Sequence, residues 1–198
     1  MTTTTATEAL LPSIGALLTS PRTGALIALL LLAAVIDWRT LRIPNWLTVS
    51  GMVYGLAYST IAAAGRPGAV SGALDSLAGL GFGLAVLLPL YAIRVMGAGD
   101  VKLMAMVGAF LGFPGIAQAL LYCLVAGGAL ALFYVLYQNM ALRFVNNVGV
   151  VLQMLPFAAQ HGRRAGAWLA TAPSIGKMPY GPAICAGTLM YLVLRQPG

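Results

Sequence analysis

The chain has 198 residues, of which 60% are hydrophobic and 8% are charged. A soluble domain carries roughly 25% charged residues, so this composition excludes a soluble globular protein. It also excludes a disordered chain, because disordered chains are polar and charged. The net charge of +7 is spread between apolar runs, where basic residues set membrane topology rather than bind nucleic acid. The composition therefore predicts an all-α membrane protein.

Six apolar runs are predicted to be transmembrane helices of one polytopic domain over residues 1–198, after a polar tail at 1–22. The runs are Gly24–Ile36, Trp46–Ala64, Leu77–Ile93, Val101–Phe113, Ile116–Tyr137 and Met178–Leu194. The first and fourth runs are short for a hydrocarbon core about 30 Å thick, so we expect them to recruit flanking residues. No basic residue precedes Pro21, so we expect the first run to be retained rather than removed as a signal peptide.

The basic residues predict the orientation of these spans. With the N-terminus outside, eight basic residues fall on the inner side and three on the outer side. The inner residues are Arg39, Arg42, Arg94, Lys102, Arg143, Arg163, Arg164 and Lys177, and the outer ones are Arg22, Arg66 and Arg195. Because basic residues accumulate in cytoplasmic loops, this orientation is the expected one.

Residues 138–177 mix apolar and polar side chains and form a cytoplasmic or interfacial loop in this topology. We expect an amphipathic helix on the membrane surface within it. The alternative is a short seventh span at 144–158, which would have to bury two asparagines and a glutamine.

The chain contains four acidic residues, Glu8, Asp37, Asp75 and Asp100. Glu8 lies in the polar tail, but a carboxylate at membrane depth is costly and needs a reason. Asp37 ends the first span and Asp100 opens the fourth, both at the inner side. Asp75 lies at the outer end of the third span, roughly 27 Å away. Asp37 and Asp100 are therefore the two acids expected to meet.

Paired carboxyls are the minimum apparatus of an aspartic protease, in which the ionised carboxyl activates water and the neutral one donates a proton to the scissile carbonyl. The alternative is structural. Asp100 would then be the N-cap of its helix, and Asp37 would pair with Arg39 or Arg42 at the headgroups.

Both cysteines and several glycines lie within the apolar runs. Cys123, Cys185 and a lone His161 are too few for a structural zinc site, and we expect no disulfide between thiols in apolar runs. Small residues let transmembrane helices approach closely, and we expect this role for Gly79, Gly81, Gly83, Gly127 and Gly128.

Three segments, taken together, resemble the type IV prepilin peptidases, which are GxGD-type intramembrane aspartic proteases. They are Asp37-Trp38-Arg39 leading to Ile43-Pro44-Asn45, then Gly97-Ala98-Gly99-Asp100-Val101-Lys102, and finally Met178-Pro179-Tyr180-Gly181-Pro182-Ala183. The resemblance extends over residues 24–194. It implies that Asp37 and Asp100 are the catalytic pair, that no cofactor or metal is used, and that Gly97 and Gly99 shape the loop before Asp100.

The resemblance also implies supporting roles around this pair. Pro179, Tyr180, Gly181 and Pro182 match a family element near the site. Lys102 matches the basic residue after the acid; it either favours the charged state of the pair or anchors the helix at lipid phosphates, and we favour anchoring. Pro44 and Asn45 are expected to start the second helix, because proline suits a first helical turn.

This sequence lacks the N-terminal portion with CxxC motifs that larger members of the family carry for N-methylation. The short form resembles the peptidases of tight-adherence (Flp-type) pilus systems in protein secretion. The implied partners are a prepilin, cleaved after a glycine at the cytoplasmic face of the bacterial inner membrane, and membrane lipid. The alternative is a non-enzymatic polytopic protein, either a proton-coupled carrier or a secretion-complex subunit, although a relay would need acids near the bilayer middle.

Overall fold

The regular structure is α-helical in the described part of the chain, which comprises residues 20–64, 69–92, 96–137 and 180–195 of a computed structural model. Five helices follow one another: α1 (Pro21–Thr40), α2 (Asn45–Ala63), α3 (Ala69–Ala92), α4 (Ala98–Tyr137) and α5 (Gly181–Leu194). The predicted all-α class is confirmed for these residues. The predicted tail and the loop at 138–177 lie almost entirely outside them.

Three segments of these helices are long and apolar enough to cross a membrane: Pro21–Thr40, Gly72–Tyr91 and Ala98–Phe133. Helix α5 is apolar but shorter, with 14 residues. Helix α2 carries several serine, threonine and tyrosine residues, which lower its hydropathy. The membrane character follows from the long apolar helices, whereas the count of six spans stays a prediction.

Helix α4 is broken at Gly112, whose backbone is non-helical with φ 74° and ψ 178°. Pro114 follows, and proline is tolerated in the first turn of a helix, where its missing N–H has no partner to lose. The break separates residues 98–111 from residues 113–137. It lies where the sequence predicted the end of one span, at Phe113, and the start of the next, at Ile116.

The two halves of α4 run in opposite directions along the bundle. In the second half, Gly115 lies beside the hydroxyl of Tyr191, near the end of α5, and Cys123 packs on Gly187, one turn earlier in α5. The chain therefore returns from residue 115 toward the start of α5. In the first half, residues pass from Asp100, which lies near the start of α5, toward Leu111, which shares a cavity with Tyr191.

Asp75 of α3 holds this reversal in place. Its Oδ1 accepts the backbone N–H of Phe113 at 3.0 Å. A free N–H at a helix start is a favourable partner for a carboxylate. The backbone of Gly112 lies so close to the same carboxylate that a Cβ there would overlap it. The acid at the outer end of the third predicted span thus has a structural role.

The core lies along the first half of α4, where residues from Leu103 to Phe110 are almost all fully buried. Glycines permit the close approach of α3: a Cβ on Gly79 would overlap the carbonyl of Gly108, and one on Gly83 would lie 2.7 Å from the carbonyl of Met104. The predicted packing role is confirmed for these two glycines. Among the described residues it is wrong for Gly81 and Gly128, where an added Cβ would have no neighbour within 4 Å, and for Gly127 the nearest neighbour is at 3.9 Å.

We predict that Gly112→Ala lowers the free energy of unfolding by about 1–3 kcal/mol or more, because a side chain at positive φ is strained and this one also displaces Asp75. Gly81→Ala is the matched control. It adds a methyl group in open space within a helix and should leave stability equal or slightly higher. Denaturation in mixed micelles, followed by far-UV circular dichroism, measures both. Equal stability of the two variants would contradict the role given to Gly112.

Candidate active site

Asp37 lies in the last turn of α1, which ends where Leu41 adopts a left-handed backbone conformation with φ 52°. Its side chain is only 5% exposed. The carboxyl Oδ2 accepts the backbone N–H of Gly181 at 2.8 Å, from the first residue of α5. A Cβ on Gly181 would lie 2.9 Å from both this oxygen and the Cβ of Asp37. The contact therefore requires glycine at position 181.

Asp100 is the third residue of α4 and is 7% exposed. Its Oδ2 accepts the backbone N–H of Gly97 at 3.2 Å. A carboxylate in the first helical turn interacts favourably with the helix dipole. The structural alternative thus describes part of its environment, although Asp100 lies inside the helix rather than at its N-cap.

The structure brings Asp37 and Asp100 together. The two carboxyls are close enough to interact electrostatically. Asp37 has its hydrogen bond with the α5 backbone, which differs from the surface pairing with Arg39 or Arg42 that the sequence left open. Asp75 lies at the other end of the bundle, at the reversal in α4.

The two glycines before Asp100 allow close contact rather than an unusual backbone conformation. Within the described residues Gly112 is the glycine with positive φ, so Gly97 and Gly99 do not use the left-handed region. A Cβ on Gly99 would lie 3.1 Å from the Cβ of Ile43, and one on Gly97 would lie 3.2 Å from the Asp100 carboxyl. The loop after α1 therefore packs directly on the first turn of α4, which carries Asp100.

Lys102 makes a second contact in this region, between the start of α4 and the start of α2. Its Nζ donates to the Oδ1 of Asn45 at 2.9 Å. Sequence reasoning considered lipid phosphates and the aspartates as its partners and missed this amide. Pro44 is the N-cap of α2, as expected from its position, so Asn45 opens the helix beside the first turn of α4. The segments Ile43–Asn45 and Gly97–Lys102 both lie at the predicted inner side of the membrane. That shared location was the signal from which the contact could have been expected.

The third segment closes the site from the side of α5. Tyr180 precedes the helix and is half-buried; burial and the negative charge of Asp100 raise the pKa of its phenol. Pro182 lies in the first turn of α5, where it has no N–H to satisfy. It also lines a groove of about 300 Å³ with Leu31, Ala34, Val35, Trp38 and Arg39. Pro179 lies outside the described residues.

The polar groups gathered here are two carboxyls, one phenol and the N–H groups of Gly97 and Gly181. Across the described ranges, no three His, Cys, Asp or Glu side chains come together as a metal-binding group. The arrangement can bind and transfer protons between two buried carboxyls. It lies at one end of the helices, near the end of α1 and the starts of α4 and α5.

We predict that Asp100→Asn lowers the pKa of Tyr180, because it removes a negative charge that disfavours the phenolate. Asp75→Asn removes the same charge at the opposite end of the bundle and should leave this pKa unchanged. Nuclear magnetic resonance of ¹³C-labelled tyrosine, with the signal assigned by Tyr180→Phe, measures the titration. An unchanged pKa in Asp100→Asn would contradict the proximity of the two side chains.

Comparison with known proteins places this arrangement in a family. Residues 24–132 match the family model described as the type IV leader peptidase family, and they include Asp37, Gly97, Gly99 and Asp100. No curated protein matches the chain, and neither does any solved structure. The match covers more than half of the 198 residues, and the family is one of aspartic-type proteases. This helical membrane protein with two buried aspartates therefore belongs to the type IV leader peptidase family.

Proposed function

We propose that this chain is an aspartic endopeptidase that removes the leader of a type IV prepilin of the Flp type. The observation that carries the proposal is the burial of Asp37 and Asp100 beside each other at one end of the bundle, although 63 positions separate them in sequence. Membership of the leader peptidase family supports the class of reaction and of substrate. Cleavage would follow a glycine at the cytoplasmic face of the bacterial inner membrane.

The two carboxyls would share one proton, with one ionised and the other neutral at the same pH. The ionised carboxyl takes a proton from water as the water oxygen bonds to the scissile carbonyl carbon. The neutral carboxyl gives its proton to the carbonyl oxygen. When the carbon–nitrogen bond then breaks, the carboxyl that took the proton from water gives it to the leaving amine. The other carboxyl takes a proton from one hydroxyl of the tetrahedral intermediate as the new carbonyl forms, which restores the starting state of the pair. The backbone donors of Gly97 and Gly181 hold the two carboxyls while they exchange protons.

The supporting residues would act by fixing the positions of these carboxyls. Gly99 and Lys102 would hold the first turn of α4, which carries Asp100. Gly99 contacts Ile43 in the loop before α2, and Lys102 donates to Asn45 at the start of α2. Gly181, with Tyr180 before it and Pro182 after it, brings the start of α5 to Asp37. The same role for Pro179 is proposed from its place in the sequence motif alone.

The proposed topology has six crossings, with the two halves of α4 counted separately and the N-terminus outside. This orientation puts Asp37 and Asp100 at the inner face, together with most of the basic residues. Residues 138–177 would then return along the cytoplasmic surface. A prepilin, which carries a basic leader before an apolar helix, would present its cleavage site at this level of the membrane.

The position of the acids separates this function from that of a proton-coupled carrier. A relay across the membrane needs titratable groups near the bilayer middle. Asp37 lies three residues before the end of α1, and Asp100 is the third residue of α4. Both acids therefore lie at helix ends, which suits hydrolysis of a substrate at the membrane surface.

The decisive experiment is cleavage of a co-expressed Flp-type prepilin, read by gel shift and by the mass of the new N-terminus. We expect wild type to cut after glycine, and Asp37→Asn and Asp100→Asn to fall about 10²-fold or more, because each loses one of the two proton-transfer groups. Asp75→Asn is the matched control, because it makes the same change at the opposite end and its amide oxygen can still accept the N–H of Phe113. Membrane levels of all four proteins are compared. Cleavage at the wild-type rate by either site variant would refute the two-aspartate mechanism.

We also predict that Gly181→Ala lowers the cleavage rate roughly 10²-fold, because its methyl group displaces the Asp37 carboxyl by a fraction of an ångström to an ångström. Gly127→Ala is the control. Gly127 of α4 faces Ala183 of α5, and an added Cβ would lie 3.9 Å from the Cβ of that alanine. This variant should cut at nearly the wild-type rate. Equal rates for the two variants would show that the close contact at Gly181 is unimportant for the reaction.

A further inference from the structure

A cavity lined by two arginines and several apolar residues lies at the end of the bundle opposite to the aspartates. It has a volume of about 450 Å³ and lies between α1, the first half of α4 and α5. Its walls include Arg22, Leu26, Phe110, Tyr191, Leu192 and Arg195. Arg22 precedes Asp37 by 15 residues of one helix, which is roughly 23 Å. The cavity is therefore separate from the candidate active site.

Two arginines from opposite ends of the chain converge on this cavity. Arg22 lies in the first turn of α1, and Arg195 is the C-cap of α5. Arg195 donates to the hydroxyl of Tyr191, and its guanidinium carbon lies 5.5 Å from the centre of that ring. Tyr191 is itself 2% exposed, so it is a fixed support for the arginine side chain.

The charges around Arg22 leave room for an anion. The acidic groups that interact with it electrostatically are Asp75 and the phenol of Tyr58. Asp75, whose Oδ1 also accepts the N–H of Phe113, offsets one of the two positive charges, so the two arginines together keep a net positive charge toward an anion. The cavity thus combines two guanidinium groups with an apolar wall.

These arginines are two of the three basic residues that the sequence places on the outer side, against the general bias of the chain. Guanidinium groups bind phosphate through paired, charge-assisted hydrogen bonds. Leu26, Phe110 and Leu192 offer an apolar surface beside them. We propose that this cavity binds a phosphate group, supplied either by a phospholipid headgroup whose acyl chains lie on the apolar wall or by free phosphate.

The test uses the purified full chain in a non-ionic detergent and isothermal titration calorimetry with three probes. Dihexanoyl-phosphatidylglycerol carries phosphate and chains, inorganic phosphate carries no chains, and dihexanoylglycerol carries no phosphate. We expect the first to bind tightest. The double variant Arg22→Gln, Arg195→Gln should weaken its binding at least about tenfold, since each charged hydrogen-bonding pair is lost.

Arg42→Gln is the control for the loss of a distant positive charge, because it removes one charge from an exposed residue just beyond the other end of α1. It should leave binding within about twofold of wild type. Circular dichroism establishes that each variant is folded. If the double glutamine variant fails to fold, the double lysine variant decides, since it keeps the charge but loses the paired hydrogen bonds and should bind several-fold more weakly.

The outcomes separate the two sources of phosphate. Equal binding of inorganic phosphate and phosphatidylglycerol, both dependent on the arginines, would support a site for free phosphate. Binding of dihexanoylglycerol as tight as that of phosphatidylglycerol would overturn the proposal, because phosphate would then contribute nothing. It would also be overturned if the glutamine and lysine variants bound like wild type, or if Arg42→Gln lost as much affinity as the double variant.

Discussion

The hydrogen bond from the Gly181 N–H to the Asp37 carboxyl is the contact on which the geometry of the site depends. A carboxyl buried away from water needs a donor, and the start of a helix is one of the few places where backbone N–H groups lack partners. By using such a donor, Asp37 fixes the start of α5 against the end of α1. The two helices lie antiparallel, so that Arg195 lies beside the first turn of α1. The contact joins residues 144 positions apart in the sequence and fixes one end of this helix pair.

Asp100 reaches Asp37 through a different constraint, the packing of α4 on α3. Gly79 and Gly83 allow the two backbones to approach closely, and Asp75 holds the reversal that follows. The direction of residues 98–111 is thereby fixed, with Asp100 at the end where α1 finishes. The pair of aspartates is thus assembled from two sets of contacts, those of α1 with α5 and those of α3 with α4. The contacts of Gly99 with Ile43 and of Lys102 with Asn45 add a third set at the site.

The sequence was sufficient to predict the helical class and the two acids that meet, because span ends determine which charges share a face of the membrane. It also located the interruption near Gly112, where the apolar run contains glycine and proline. The partner of Asp37 was not predictable in the same way, since a backbone donor has no side-chain signature. The role of Asp75 was hidden because a carboxylate at a span end is compatible with headgroups as well as with a helix start.

The glycines illustrate a signal that was present but unused. Residues four apart share one face of a helix, whereas residues two apart do not. Gly79 and Gly83 therefore face α4 together, and Gly81 points away from them. Treating the three as one packing motif led to the wrong expectation for Gly81. For Gly97 and Gly99, the sequence predicted that they shape the loop before Asp100, and in the structure their small size allows close contacts there.

The charges of α1 carry a further consequence for how this fold is organised. A helix favours acidic residues at its N-terminus and basic residues at its C-terminus. Arg22 and Asp37 have the reverse placement in α1, so each opposes the dipole of its own helix. Other helices compensate both, because the N-terminus of α5 donates to Asp37 and Asp75 of α3 interacts electrostatically with Arg22. Residues placed against the preference of their own helix depend on their neighbours, and in this chain they lie at the candidate active site and at the proposed phosphate site.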